Sequence, residues 1–429
     1  MSRIYENTTG TLLMKLKQSG VTDLDELSNA MDDLRKKQLA SGIYSFDHFS
    51  EKGSDASANM SSSLLENKQN CTLWSINHYL GLNRHPDVIE ASINATRTFG
   101  TGCGTSAISG GMNVLHKKIE EKLRKWTNKK GIMLFPTGFT ANTGVIGAIC
   151  QKEDHVLIDG ESHASIRDGV RVSRTQKWIE FEHNSIHDIE KKLKIATAAP
   201  TGKIIVIVES AYSMSGDICP LKALVKLKEK YDFLLVVDEA HSFGLYGDHG
   251  QGLCYQEGVL DQVDFLISTF SKATASIGGF VATKESYTSY FQWGINMYAF
   301  QACFSPADAA TILEAMRVLE RSPEIIQELH KKNQYMRERL VDKGFNLGNS
   351  QSPIIPIYIP DTEKLLKTCF EAYKQGIFSI PITYPMVRKH EGRIRFILNA
   401  RHTYEQIDNT IDVLSELAKK YQFLAPAIV

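Results

Sequence analysis

The stretch FLLVVDEAHSFG (residues 233–244) decides the fold. Its first five residues are apolar and mostly branched, the signature of a strand buried on both faces. The run ends in Asp238, and His241 follows three residues later. A carboxylate closing so apolar a strand is costly unless something positive meets it. Magnesium, a helix cap, or the protonated ring nitrogen of a cofactor would each serve. A metal reading of Asp238, Glu239 and His241 lacks a second cluster of carboxylate and histidine, so no metal is expected.

Working outward, the same kind of run recurs at IMLF (from Ile132), HVLI (from His155), WIEF (from Trp178), IIVIV (from Ile204) and DFLIS (from Asp264). Between these runs lie HKKIEEKLRKW, HDIEKKLKIA and LKALVKLKEKY, with apolar residues at three- and four-residue steps. The alternation predicts an α/β fold, an open and mostly parallel sheet covered by helices. Ligands in such sheets sit beyond the carboxyl ends of the strands. After a helical region around Pro306 to Leu340 the pattern becomes IIPIYI, a helix ending near Gly376, RIRFIL, and a last helix from Thr403. Residues 1–73 are therefore read as an amino-terminal extension and linker, 74–325 as the large domain, and 326–429 as a smaller carboxyl-terminal α/β domain. The Ser-, Asn- and Gly-rich GSDASANMSSSLLENKQN is expected to be a loop or linker.

Two further features bear on chemistry. STFSKATASIGGF (268–280) sets Lys272 just beyond a buried strand, among hydroxyls and small residues. A lysine that loses solvation there becomes a nucleophilic amine able to form an imine, although an isolated loop lysine is more often simply exposed. LFPTGFTANTG (134–144) runs from a strand through Thr137, Gly138 and Phe139 into a helix. Backbone amides and a hydroxyl at a helix start suit a phosphate, and the same pattern also makes an ordinary strand-to-helix turn. The glycine-rich GTGCGTSAISGG does not meet the G-x-G-x-x-G dinucleotide pattern.

Composition bounds the remaining choices. The 429 residues are 42% hydrophobic and 23% charged, the balance of a soluble globular chain. Lys plus Arg and Asp plus Glu total 49 each, so no net field draws nucleic acid or an anionic membrane. Seven scattered cysteines without a C-x-x-C pair fit a reducing cytoplasm, and no run is long enough for a signal peptide or a membrane span.

Strand, Asp238, His241, then strand and Lys272 together resemble the fold type I pyridoxal 5′-phosphate (PLP) transferases. The resemblance extends through NHYLGLNRHPDVIEA, GTGCGTSAISGGMNVLHKKIEEKL, FPTGFTANTGVI, IDGESHASIRDG, AYSMSGDICPL, VDEAHSFGLYGDHGQG, STFSK with IGG, and RIRFILNARHTYEQID. This order is similar to that of the α-oxoamine synthases and covers the chain from about residue 74. It implies that Lys272 carries PLP as an imine and later removes the amino acid's Cα proton. Asp238 would hold the pyridine nitrogen protonated, and His163 would stack on the ring. His241 and Ser213 match residues near the phenolic oxygen. Gly138, Phe139 and Thr269 match phosphate-binding positions. Asn77 and Arg395 match the grip on the amino-acid carboxylate.

The implied reaction condenses a small α-amino acid (glycine, alanine or serine) with an acyl thioester of CoA or a carrier protein, usually with decarboxylation, to an α-amino ketone. The implied assembly is a homodimer with a shared active site. An aminotransferase, aldolase or decarboxylase on the same fold is the same-cofactor alternative, and a non-catalytic α/β binding protein is the other. N-x-Y-L-G and the A-x-H-T pattern at Ala400, His402 and Thr403 weigh against the former. Three departures from the family pattern concern substrate choice: Thr105-Ser106-Ala107 where an arginine is common, His78 where aspartate is common, and Gln301 where a hydroxyl is common.

Overall fold

A computed structural model describes residues 9–40, 48–62, 65–198 and 201–424. It divides into two compact units. The larger comprises Asn77–Ser213 and Asp217–Glu328; the smaller comprises the described parts of Met1–Ile76 and Leu329–Val429 together with Met214–Gly216.

The larger unit is built on one seven-stranded sheet. In chain order its strands are β1 (Gly131–Phe135), β2 (His155–Asp159), β3 (Lys177–Phe181), β4 (Ile204–Glu209), β5 (Leu234–Asp238), β6 (Phe265–Thr269) and β7 (Gly279–Thr283). Their spatial order is β1-β7-β6-β5-β4-β2-β3. All pairs are parallel except those of β7, which runs antiparallel to both β1 and β6. The six runs picked out by sequence are β1 to β6. β7 escaped because GFVAT begins within the glycine pair Gly278-Gly279, which reads as loop. The central strands are apolar along their length because both faces are covered, and Ile205, Ile207, Val236, Phe265 and Ile267 join Val145, Ile146 and Ile166 from neighbouring helices in one core.

That topology gathers chemistry at one edge. β2, β4, β5 and β6 are successive parallel neighbours, and they end in Asp159, Glu209, Asp238 and Thr269. Four apolar strands thus deliver four polar termini to the carboxyl edge, where ligands of open α/β sheets bind.

In the smaller unit, Ile354–Tyr358, Arg393–Ile397 and Ile380–Ile382 form an antiparallel sheet, with helices Thr362–Lys374 and Tyr404–Tyr421. The expected linker is instead a β-hairpin: Ser57–Ser62 pairs antiparallel with Leu65–Leu73, and the latter pairs with Ile377–Phe378. Composition hid this, but the few apolar residues alternate, and Met60, Cys71 and Leu73 bury against Tyr373 from far along the chain. The smaller unit is therefore not carboxyl-terminal alone. Trp74 is buried, donates from Nε1 to Thr410 Oγ1 at 3.1 Å, and lies 4.1 Å from the His402 ring. His402 Nδ1 accepts from the Asn399 N–H at 3.1 Å, so Nε2 donates to the Leu73 carbonyl at 3.1 Å. Burial pushes His402 down to about 4, which keeps it neutral. With Thr403 capping the final helix, the A-x-H-T pattern is a clasp. LKALVKLKEKY is helical only over Leu221–Lys226 before a tighter turn at Leu227–Glu229.

Candidate active site

A cavity of about 250 Å³ opens at the carboxyl edge of the sheet. It is lined by Gly138, Phe139, His163, Asp238, His241, Thr269 and Lys272, all singled out in the sequence, and by Thr137, Asn142, Ser165, Glu209, Ala240, Ser268 and Ser271. At one end the helix Gly138–Ile149 begins. Thr137 caps it, its Oγ1 accepting the Thr140 N–H at 3.0 Å. The amides of the first turn have no partner within the helix, which suits this end to an anion. Only glycine fits at position 138, because a Cβ there would stand 2.6 Å from Thr269 Cβ. Thr269 Oγ1 donates to the Gly278 carbonyl at 2.9 Å and accepts the Ser271 N–H at 3.2 Å. This folds the chain after β6 back on itself, and Lys272 is carried on that turn. Phe270, fully buried and stacked on Phe280 at 5.3 Å, anchors the turn.

Asp238 is 3% exposed and is met by two donors, the Ala240 N–H at 2.8 Å and Asn142 Nδ2 at 2.7 Å. Its neighbour in the sheet is Glu209, whose Oε1 accepts the His163 N–H at 2.6 Å. Burial, and then the adjacent Asp238 carboxylate, push the Glu209 carboxyl well above the ordinary carboxylate range. His163 Nδ1 lies 2.7 Å from Ser165 Oγ, and His241 Nδ1 lies 2.6 Å from the buried Tyr79 hydroxyl.

Further along the same edge, His183 is gripped by Asp159 (Nδ1 to Oδ1, 2.8 Å) and Asp217 (Nε2 to Oδ2, 3.1 Å). Burial would lower its pKa, but hydrogen bonds to the two carboxylates override this and raise it to about 10. The Asn184 N–H, next in the chain, donates to Asp159 Oδ2 at 3.0 Å. Asp217 closes the loop that bears Ser213, its carbonyl accepting the Tyr212 N–H at 2.9 Å.

Ser213 is buried in that loop but does not line the cavity, and neither does Asn77, whose Oδ1 is buried with no hydrogen-bond partner among the described residues. Arg395 belongs to the smaller unit, half-buried on the strand Arg393–Ile397 opposite Pro356 and Ile380. The other arginine of RIRFIL, Arg393, is 1% exposed, lies 4.3 Å over the Tyr358 ring and donates to its hydroxyl at 2.9 Å. Sequence reasoning passed over Asn142, Ser165 and Glu209. Glu209 carried the same signal as Asp238, an acidic residue ending an apolar strand, and Asn142 is a polar residue inside the apolar run TANTGVIGAI.

The sequence profile of aminotransferase class I and II matches residues 69–414. The chain belongs to that family. Within it, the chain is 35% identical over 392 residues to a serine palmitoyltransferase of Bacteroides thetaiotaomicron, covering 91% of this chain and 97% of that protein. It is 34% identical over 343 residues to an 8-amino-7-oxononanoate synthase of Petrotoga mobilis, covering 80% and 87%. The solved serine palmitoyltransferase of S. paucimobilis with bound PLP–myriocin aldimine superposes with a TM-score of 0.87 at 28% identity, covering 93% of this chain and 99% of that one. These relatives place the chain among the α-oxoamine synthases, and its fold is that of the type I PLP-dependent transferases. It is a PLP-dependent acyltransferase, and its chemistry joins an amino acid to an acyl thioester. The cavity suits that cofactor on its own terms: an amine, a carboxylate held at a buried strand end, and a helix start kept open by a glycine that a Cβ would close. Among the described residues no helix is long and apolar enough to cross a membrane, and no group of three or more His, Cys, Asp or Glu is placed to hold a metal ion.

Proposed function

We propose that the protein condenses serine or a comparably small amino acid with a long-chain acyl thioester, releasing the thiol and carbon dioxide and leaving an α-amino ketone. The observation that carries this reading is the convergence of Lys272, Asp238, His163, His241 and the Gly138 amide on one cavity. Bound PLP supplies a ring that stabilises negative charge at the amino acid's Cα. Lys272 Nζ would hold the cofactor and take the Cα proton. The Asp238 carboxylate would keep a proton on the pyridine nitrogen, His163 would pack against the ring face, and His241 with Ser213 would serve its phenolic oxygen. The Gly138 and Phe139 amides and Thr269 would take the phosphate, and Arg395 with Asn77 would grip the amino-acid carboxylate.

The long acyl chain is favoured by position 107. Ala107 stands where family members often carry an arginine, and it lines a small recess with Met112, Leu134, Phe135, Pro136, Tyr298 and Phe304, and with the polar His116, Gln301 and Cys303. Such a lining offers neither lysine nor arginine to a charged acyl end, and burial lowers the pKa of its one histidine, so it suits an apolar end. A homodimer with a shared site, in a reducing cytoplasm that keeps the seven cysteines free, completes the reading. The test is to load the pure protein with PLP, supply palmitoyl-CoA or the corresponding carrier-protein thioester with serine, glycine or alanine, and follow free thiol. Thiol release that depends on the amino acid is expected; no release with any pair would sink the reading. Light scattering of the same sample reads the dimer.

A further inference from the structure

Asp238 and His163 are joined along the cavity by two side chains, Asn142 and Ser165, that have no role above. Asp238 Oδ2 accepts from Asn142 Nδ2 at 2.7 Å, the same nitrogen lies 3.0 Å from Ser165 Oγ, and Ser165 Oγ lies 2.7 Å from His163 Nδ1. All four residues belong to the larger unit, and Asn142, Ser165 and Asp238 are buried.

Hydrogen-bond chemistry gives the line a direction. A carboxylate oxygen accepts, so Asn142 must turn its NH2 toward Asp238. Its carbonyl oxygen is consequently buried with no partner among the described residues, a cost the site tolerates. The amide carries two protons: one goes to Asp238 and the other to Ser165 Oγ. With its oxygen accepting there, the Ser165 hydroxyl directs its own proton to His163 Nδ1. The Ser165 backbone N–H donates to that same nitrogen at 3.2 Å. Two donors aimed at Nδ1 make it the unprotonated nitrogen, and a neutral ring then carries its proton on Nε2.

We propose that Asn142 is a positioning residue that, through Ser165, holds His163 as the Nε2–H tautomer while fixing the orientation of Asp238. The proposal rests on the functional reading above, since it matters to turnover only if Asp238 and His163 serve cofactor and substrate. It makes His163 a hydrogen-bond donor at Nε2, the character needed toward an acceptor such as a carboxylate. It also ties Asp238, which would meet the pyridine nitrogen, to His163, which would pack against the ring, through one amide and one hydroxyl.

The test reads the tautomer directly. Protein labelled with ¹⁵N in its 13 histidine rings is compared with His163→Asn to assign the His163 signals, with and without PLP. The expected spectrum has an unprotonated Nδ1 and a protonated Nε2. Ser165→Ala and Asn142→Ala should both move these signals toward a tautomer mixture, whereas Ser165→Thr, which keeps the hydroxyl, should leave them in place. In turnover each alanine variant should lose about tenfold in kcat with little change in amino-acid KM, and the double variant should lose no more than the larger single loss. Asn142→Ala alone should also weaken PLP binding, because it alone touches Asp238. A wild-type His163 with its proton on Nδ1 would overturn the proposal. So would unchanged signals and kcat in Ser165→Ala, or fully additive losses. If Asn142→Ala does not fold, the Ser165 pair decides. If thiol release is absent from every variant and from wild type, the functional reading fails, while the ring spectrum of the PLP-free protein still decides the relay.

Discussion

Three histidines stand along one edge of the same sheet, and their partners set them apart. His163 and His241 line the cavity, and each presents Nδ1 to a hydroxyl, Ser165 at 2.7 Å and Tyr79 at 2.6 Å. His183 stands between two carboxylates and is raised to about 10. A hydroxyl orients an imidazole without forcing a charge on it, whereas two carboxylates turn it into a cation that pins chain segments together. Asp159 ends β2 and Asp217 closes the loop of Ser213, so the cation joins strand to loop. One residue type is thus an instrument of the cavity in one place and a structural pin in another.

The largest effect that would separate the two kinds is loss of His163. His163→Ala should lower amino-acid-dependent thiol release by about 100-fold, the scale of a lost positioned proton donor, with only a small shift in melting temperature. A large loss of stability with normal turnover would reverse the contrast. Asp159→Asn should do the opposite, costing about 3 kcal/mol in denaturant unfolding because the His183 charge stays buried against half its partners, while activity per folded molecule is largely kept.

The pin should also titrate. Its histidine is raised in the folded state, so the stability it contributes is complete below about pH 6.5 and is lost as pH rises toward 10. Asp159 is held low, burial opposing and the His183 hydrogen bond prevailing, so its share is present above the ordinary carboxylate range and lost as pH falls through it. Unfolding curves of wild type and His183→Gln should therefore differ most near pH 6 and converge by pH 10; a gap that widens with alkalinity would contradict the assignment. The smallest effect is expected at the other cavity histidine. Tyr79→Phe should weaken PLP binding about fivefold, the worth of one neutral hydrogen bond of about 1 kcal/mol, as read by visible absorbance titration.

The contrast also explains what could be read from the residues alone. Lys272, Asp238, Thr269 and Gly138 were legible because each terminates or follows an apolar strand, and strand ends can be found by hydropathy. The six parallel-sheet runs were legible for the same reason. His183 was not, because each of its partners, Asp159 and Asp217, is separated from it by a helix and a strand, and nothing local distinguishes a gripped histidine from a solvated one. Asn142 and Ser165 were hidden because hydrogen-bond direction depends on three-dimensional neighbours. The hairpin at 57–73 was masked by polar composition, its burial supplied by Tyr373 and Phe378 from the other end of the chain. Arg395 could be picked out by motif, yet the fully buried arginine beside it, Arg393, turns out to be the packing residue.

Lys272 is the proposed attachment point of PLP, and one measurement addresses that without any knowledge of substrate. Protein incubated with PLP is reduced with borohydride, digested, and mapped by mass spectrometry. A single pyridoxyl group on the peptide bearing Lys272, absent from Lys272→Ala, is the predicted result. Labelling of another lysine with Lys272 untouched, or no stable label in cofactor-loaded protein, would contradict it.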